Sequence, residues 1–185
     1  TVPGFMKKGF SREESENLVK KSMTLLINAR NKYQEKHPER KNLVASAAIG
    51  PYGAYLVDGS EYTGDYKVDP EIIEAFHKER MQLLKDAGAE IFACETLPCL
   101  WEAEIILKAA KELDVPCWFS FSCKDNEHIS DGTPIADCAE RLDKEDIVKA
   151  IGVNCTYPIY ISELIKNIKS KSTKPVIVYP NRGEE

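Results

Sequence analysis

Apolar positions fall into two alternating forms along the chain: stretches with helical spacing and short continuous runs. Ser11-Arg12-Glu13-Glu14 is a capping-box start, in which Ser11 caps and Glu14 reaches back. The apolar positions Leu18, Met23, Leu25, Leu26, Ala29 and Tyr33 predict a long helix to about Glu35, packed through one face and ended by His37-Pro38. The run Leu43 to Ile49, closed by Gly50-Pro51, predicts a buried strand. Tyr52 to Val68 has no periodicity and predicts a long polar loop, a length more often functional than idle. Asp69-Pro70 opens a helix carrying Ile72, Ile73, Phe76, Met81 and Leu84, stopped at Gly88.

The alternation continues to the end of the chain. Ile91 to Cys94 is strand-like and ends in Glu95-Thr96. A helix over about 100–113, a strand Cys117 to Phe121, a loop Lys124 to Thr133 and a helix from Pro134 to about Leu142 follow. A strand within Ile147 to Val153 ends at Asn154-Cys155, a helix spans Pro158 to Ile168, and Pro175 to Tyr179 is the last strand. Strands joined through helices are expected to be parallel. Each ends in a polar or turn group: Gly50-Pro51, Glu95-Thr96, Ser122-Cys123, Asn154-Cys155, Pro180-Asn181. The glycine signatures of open dinucleotide or P-loop sheets are missing. Chemistry gathered at the C-terminal ends of several strands is the habit of a (β/α)8 TIM barrel. Five strands do not close such a barrel, so the expectation is an α/β chain forming an incomplete barrel, one partial domain over 1–185 with no second domain. The ends at Thr1 and Glu185 read as cut, and no signal peptide is visible.

Composition narrows the setting. Of 185 residues, 43% are apolar and 30% charged, enough for a core and against disorder. No apolar run approaches the roughly 18 residues of a membrane span. The net charge is −5 and Lys and Arg are scattered, so no nucleic-acid face is expected. Six cysteines without C-x-x-C, several inside apolar runs, point to free thiols in a reducing cytoplasm.

Candidate chemistry sits at the strand ends. Glu95 is a rim carboxylate suited to a substrate amine; the plainer alternative is a surface Glu opening a loop. Cys155 is a rim thiol, a nucleophile or metal ligand if not simply structural. Tyr52, Tyr55 and Tyr62 (with Tyr66) crowd one loop, where they either stack on a cationic substrate or pack the loop. His37 and His77 read as structural and His128 is undecided; no Lys stands at a strand end, which argues against a Schiff-base enzyme.

Several motifs together go further. Ile49-Gly50-Pro51-Tyr52-Gly53-Ala54-Tyr55-Leu56, Asp58-Gly59-Ser60-Glu61-Tyr62 and Gly64-Asp65-Tyr66 closely resemble the homocysteine S-methyltransferases. So do Ala93-Cys94-Glu95-Thr96-Leu97-Pro98, Trp118-Phe119-Ser120-Phe121, Ser130-Asp131-Gly132-Thr133, Gly152-Val153-Asn154-Cys155 and Val178-Tyr179-Pro180-Asn181, in family order over nearly the whole chain. The resemblance, nearest the S-methylmethionine branch, implies methyl transfer from a sulfonium donor (S-methylmethionine or S-adenosylmethionine) to the homocysteine thiol, giving methionine. It implies a (β/α)8 barrel whose third to seventh strands are those seen here, with Zn2+ on three cysteine thiolates. One is Cys155; the other two, in a Gly-Gly-Cys-Cys motif, are expected beyond Glu185. By the same resemblance Glu95 binds the homocysteine amino group and Asn154 shapes the site; one or more of Tyr52, Tyr55 and Tyr62 are candidates to line the sulfonium side by cation–π contact. Two other readings stand beside it: a non-catalytic fragment, which would bind zinc weakly and not turn over, and a different barrel enzyme using Cys155 as nucleophile. The partners implied are small molecules; the oligomeric state is left open.

Overall fold

In a computed structural model that describes residues 1–181, five parallel strands form one sheet. They are β1 (Ser46–Ile49), β2 (Ile91–Leu97), β3 (Cys117–Phe121), β4 (Val148–Asn154) and β5 (Val176–Tyr179), and their spatial order is their sequence order. A doubly wound sheet reverses its strand order at a switch point; this one steps in one direction, as a barrel wall does. The helices are α1 (Val2–Met6), α2 (Arg12–Lys36), α3 (Gly53–Leu56), α4 (Pro70–Asp86), α5 (Leu100–Leu113), α6 (Ile135–Asp143) and α7 (Ile161–Lys171).

Parallel pairing aligns side chains across strands. Ala47 pairs with Phe92, Ile49 with Cys94, Cys94 with Phe119, and Phe119 with Ile151. All are buried and belong to one core cluster with Met81 of α4, Ile106 and Ala110 of α5, Leu142 of α6 and Leu164 and Ile168 of α7. The other face pairs Ala93 with Trp118, Ser120 with Gly152 and Gly152 with Ile177. That face holds the polar groups described below.

The long N-terminal helix forms as expected, with both halves of its capping box in place. Its buried seam is different. Ser15, Val19 and Met23 face inward, spaced four apart, whereas Leu25, Leu26 and Tyr33 are exposed. A helix of 25 residues carries apolar side chains on more than one face, and its packing, chiefly against α1 and α4, covers only the narrower stripe. The first strand is shorter than its apolar run, because Leu43 and Val44 precede the pairing with β2.

The segment expected to be an open loop, Tyr52 to Val68, is folded. It contains α3 and a 3-10 turn at Ser60–Tyr62. Tyr52 and Tyr66 are buried with Ile73 and Phe76 in a second small core. Gly53 is required there, since a Cβ would collide with the backbone of Ser60 and Glu61. Among the described residues no helix is long and apolar enough to cross a membrane.

Candidate active site at the strand ends

β2 and β4 end beside each other without being directly paired, and their terminal residues knit together across β3. Thr96 adopts φ 62° and Cys155 φ 48°, both in the left-handed region. For a β-branched residue such as Thr this conformation is strained, by about 1–3 kcal/mol, and needs support. Asn154 supplies it. Its Oδ1 accepts from the Thr96 backbone N–H at 2.9 Å, and its Nδ2 donates to Thr96 Oγ1 at 2.6 Å. A backbone N–H only donates, so the orientation of the Asn154 amide is fixed. The second Nδ2 hydrogen reaches Cys155 Sγ at 3.3 Å, and Thr96 Oγ1, already an acceptor, has its own hydrogen free for the same sulfur at 3.6 Å. Asn154 is buried and Cys155 exposed. An accessible sulfur with two donors aimed at it has hydrogen bonds ready for charge on it.

Cys155 is the only exposed thiol among the six cysteines; all six are free. Burial pushes the Cys123 thiol up to about 12 and raises Cys94, Cys99 and Cys138 as well. Those thiols stay protonated, in keeping with cysteines that fill the core.

Glu95, at the irregular end of β2 where the register with β3 shifts, is half-buried. Its Oε2 accepts from the Tyr179 hydroxyl at 2.9 Å. The structure therefore brings Glu95, Asn154 and Cys155 to one end of the sheet, all on the C-terminal side of their strands. The three tyrosines are spread out. Tyr52 is buried edge-on against Tyr55, Tyr66 and Phe76; Tyr55 lies under Lys7, whose Nζ is 4.0 Å from the ring centre; Tyr62 is 62% exposed.

A buried charged network, not anticipated from the sequence, stands behind the loop that follows β1. Glu102 of α5 is fully buried. Its Oε1 accepts from the Tyr52 backbone N–H at 2.6 Å and from His77 Nε2 at 2.8 Å, and its Oε2 from the Tyr66 hydroxyl. Arg80 donates to the Gly50 carbonyl and to His77 Nδ1, the latter at 2.7 Å. Burial lowers Arg80 to about 10, so it keeps its charge and acts only as donor. His77 Nδ1 must then accept, leaving its proton on Nε2 for Glu102. Burial, aided by the Arg80 charge, holds His77 down to about 4. The network fixes Gly50 and Tyr52, the turn leaving β1. His77 is structural, as the sequence suggests. His128 pairs with Asp125 at 3.1 Å in its own loop.

The family model for homocysteine S-methyltransferase matches residues 2–185. Homocysteine S-methyltransferase YbgG of Bacillus subtilis is 45% identical over 189 aligned residues, covering all of this chain and 60% of the relative. A homocysteine S-methyltransferase of Escherichia coli is 40% identical, again over all of this chain and 60% of its own length. The metallated form of the E. coli homocysteine methyltransferase MmuM superposes with a TM-score of 0.93 at 39% identity, covering 99% of this chain and 64% of that one. This chain thus spans about 60% of the length of the curated relatives it matches. With a full-length family match and an architecture shared with a solved relative, the chain belongs to the homocysteine S-methyltransferase family.

Proposed function

We propose that this chain forms the substrate-binding wall of a zinc-dependent homocysteine S-methyltransferase, which moves a methyl group from a sulfonium donor to the homocysteine thiol and yields methionine. The observation that carries the reading is the joining of Thr96, Asn154 and Cys155 at the strand ends, with Glu95 on the same side of the sheet.

Among the described residues no group of three or more His, Cys, Asp or Glu side chains could hold a metal ion. They offer one ligand, Cys155, and it suits the role: an exposed sulfur within reach of Asn154 Nδ2 and Thr96 Oγ1. By the family resemblance, two further thiolates are expected beyond Glu185. When bound, zinc would act as a Lewis acid that makes an incoming thiol easier to deprotonate. The chain's own residues do the rest. Glu95 holds the homocysteine ammonium and thereby aims the thiol along the rim. Asn154 and Thr96 orient the Cys155 sulfur at the rim. The homocysteine sulfur, its proton lost to solvent, then forms a bond to the donor methyl as the sulfonium C–S bond breaks, releasing a neutral thioether, so alignment governs the rate. Of the three tyrosines, Tyr62 has the ring most open to a sulfonium. Unchanged donor KM and kcat in Tyr62→Leu would remove it from the donor side. Free thiols throughout accord with a cytoplasmic setting.

The test uses the protein at its full natural length. Zinc bound in a 1:1 ratio and methionine formed from homocysteine and S-methylmethionine are expected. A protein that holds no zinc, or that methylates no thiol from either sulfonium donor, would overturn the proposal.

A further inference from the structure

The inner face of the sheet carries a hydrogen-bond chain that methyl transfer as described leaves without a role. It runs from Ser120 on β3, through Tyr179 at the end of β5, to Glu95 on β2. The Tyr179 hydroxyl lies 2.7 Å from Ser120 Oγ and 2.9 Å from Glu95 Oε2. An ionised carboxylate only accepts, so the phenol donates to Glu95, and its oxygen then accepts from Ser120. Ser120 is fully buried.

The chain of bonds spans β4, which lies between β3 and β5. The β4 residue level with Ser120 is Gly152, which is also the register partner of Ile177. Gly152 has no side chain, and a Cβ there would meet the Ile177 carbonyl, so the glycine lets β5 and its Tyr179 lie close against β4. Burial pushes Tyr179 up to about 12, so it remains a donor throughout the neutral range.

We propose that Tyr179 is a positioning residue for recognition of the substrate's α-amino group. By donating to Oε2 it fixes the Glu95 carboxylate and leaves Oε1 to face an ammonium, while Ser120 sets the direction of the phenol hydrogen. The chemical class recognised is an α-amino thiol rather than a simple thiol. This rests on the reading that Glu95 holds the homocysteine ammonium.

The experiment compares homocysteine with 4-mercaptobutanoate, the same thiol acid without its amino group. Dissociation constants are measured by titration calorimetry on the protein at full natural length, as wild type, Tyr179→Phe, Ser120→Ala and Glu95→Gln. Losing a hydrogen bond to a charged group corresponds to about tenfold in binding. Tyr179→Phe is therefore expected to weaken homocysteine about tenfold and to leave 4-mercaptobutanoate within about twofold; Ser120→Ala is expected to do the same more weakly. A merely structural role would weaken both thiols together, and that result, or no change in either, would overturn the proposal. If Tyr179→Phe does not fold, Ser120→Ala decides on the same criterion. Glu95→Gln separates the two claims. If it abolishes the preference for homocysteine while Tyr179→Phe keeps it, only the positioning role fails. If Glu95→Gln keeps the preference, the amino-group reading of Glu95 fails, and the Tyr179 role with it.

Discussion

Replacing Glu102 by alanine removes one carboxylate and strands four partners. The Tyr52 N–H, the Tyr66 hydroxyl and the His77 Nε2–H lose their acceptor, and Arg80 loses the negative charge that offsets it across the His77 ring. A buried donor left unpaired costs about 1–3 kcal/mol. Leaving a buried charge such as Arg80 uncompensated costs about 3–5 kcal/mol. These describe the same loss and are not additive, so the expected destabilisation of Glu102→Ala is about 3–5 kcal/mol. Against a typical total of about 5–15 kcal/mol this is a large fraction. Glu102→Gln keeps one carbonyl acceptor but turns an amide toward a donor, so an intermediate loss is expected. Urea unfolding followed by Trp fluorescence measures both; the slope stays constant if only stability changes. A loss below about 1 kcal/mol for Glu102→Ala would refute the network as an anchor of the Gly50–Tyr52 turn.

Three further outcomes follow from the same geometry. His77 is neutral in the folded state down to about pH 4 but titrates near 6.5 when unfolded, so the unfolded chain binds more protons between these values. Stability therefore falls as pH drops from about 6.5 to 4, by about 3 kcal/mol from this group, and a urea midpoint flat over that range would contradict the assignment. Gly152→Ala drives a Cβ into the Ile177 carbonyl, and a loss of at least about 1–3 kcal/mol is expected in thermal or urea unfolding; a neutral result would mean β4 and β5 are not packed as described. Under native conditions iodoacetamide is expected to label Cys155 and spare the five buried thiols, as peptide mass mapping would show; rapid labelling of Cys117 or Cys138 would contradict the core.

The strands were legible because each is a short apolar run with a sharp polar end. Cys117–Phe121 was read to the residue, and Glu95, Asn154 and Cys155 stood out because they occupy such ends. The packing of α2 is not legible: its inward stripe of Ser15, Val19 and Met23 is less apolar than the exposed Leu25 and Leu26, and only the neighbouring helices α1 and α4 decide between them. Glu102 looks in sequence like an acidic residue in the first turn of a helix, favourable there for its dipole. Its partners lie 25, 36 and 50 residues away, and Tyr179 lies 84 residues from Glu95. No local pattern encodes such pairings. A crowd of tyrosines beside a buried-looking glycine turn was the one available hint that Tyr52 to Val68 folds on itself.

If Cys155 and the rim around it serve methyl transfer to homocysteine, turnover depends on the Cys155 sulfur. The most direct test is methionine formation from homocysteine and S-methylmethionine by the protein at full natural length, compared with Cys155→Ser. Steady turnover is expected in the wild type and a loss of at least about a hundredfold in Cys155→Ser, since losing even an outer-shell partner of a metal ligand costs about 10–100-fold. Wild-type turnover in Cys155→Ser would contradict that dependence.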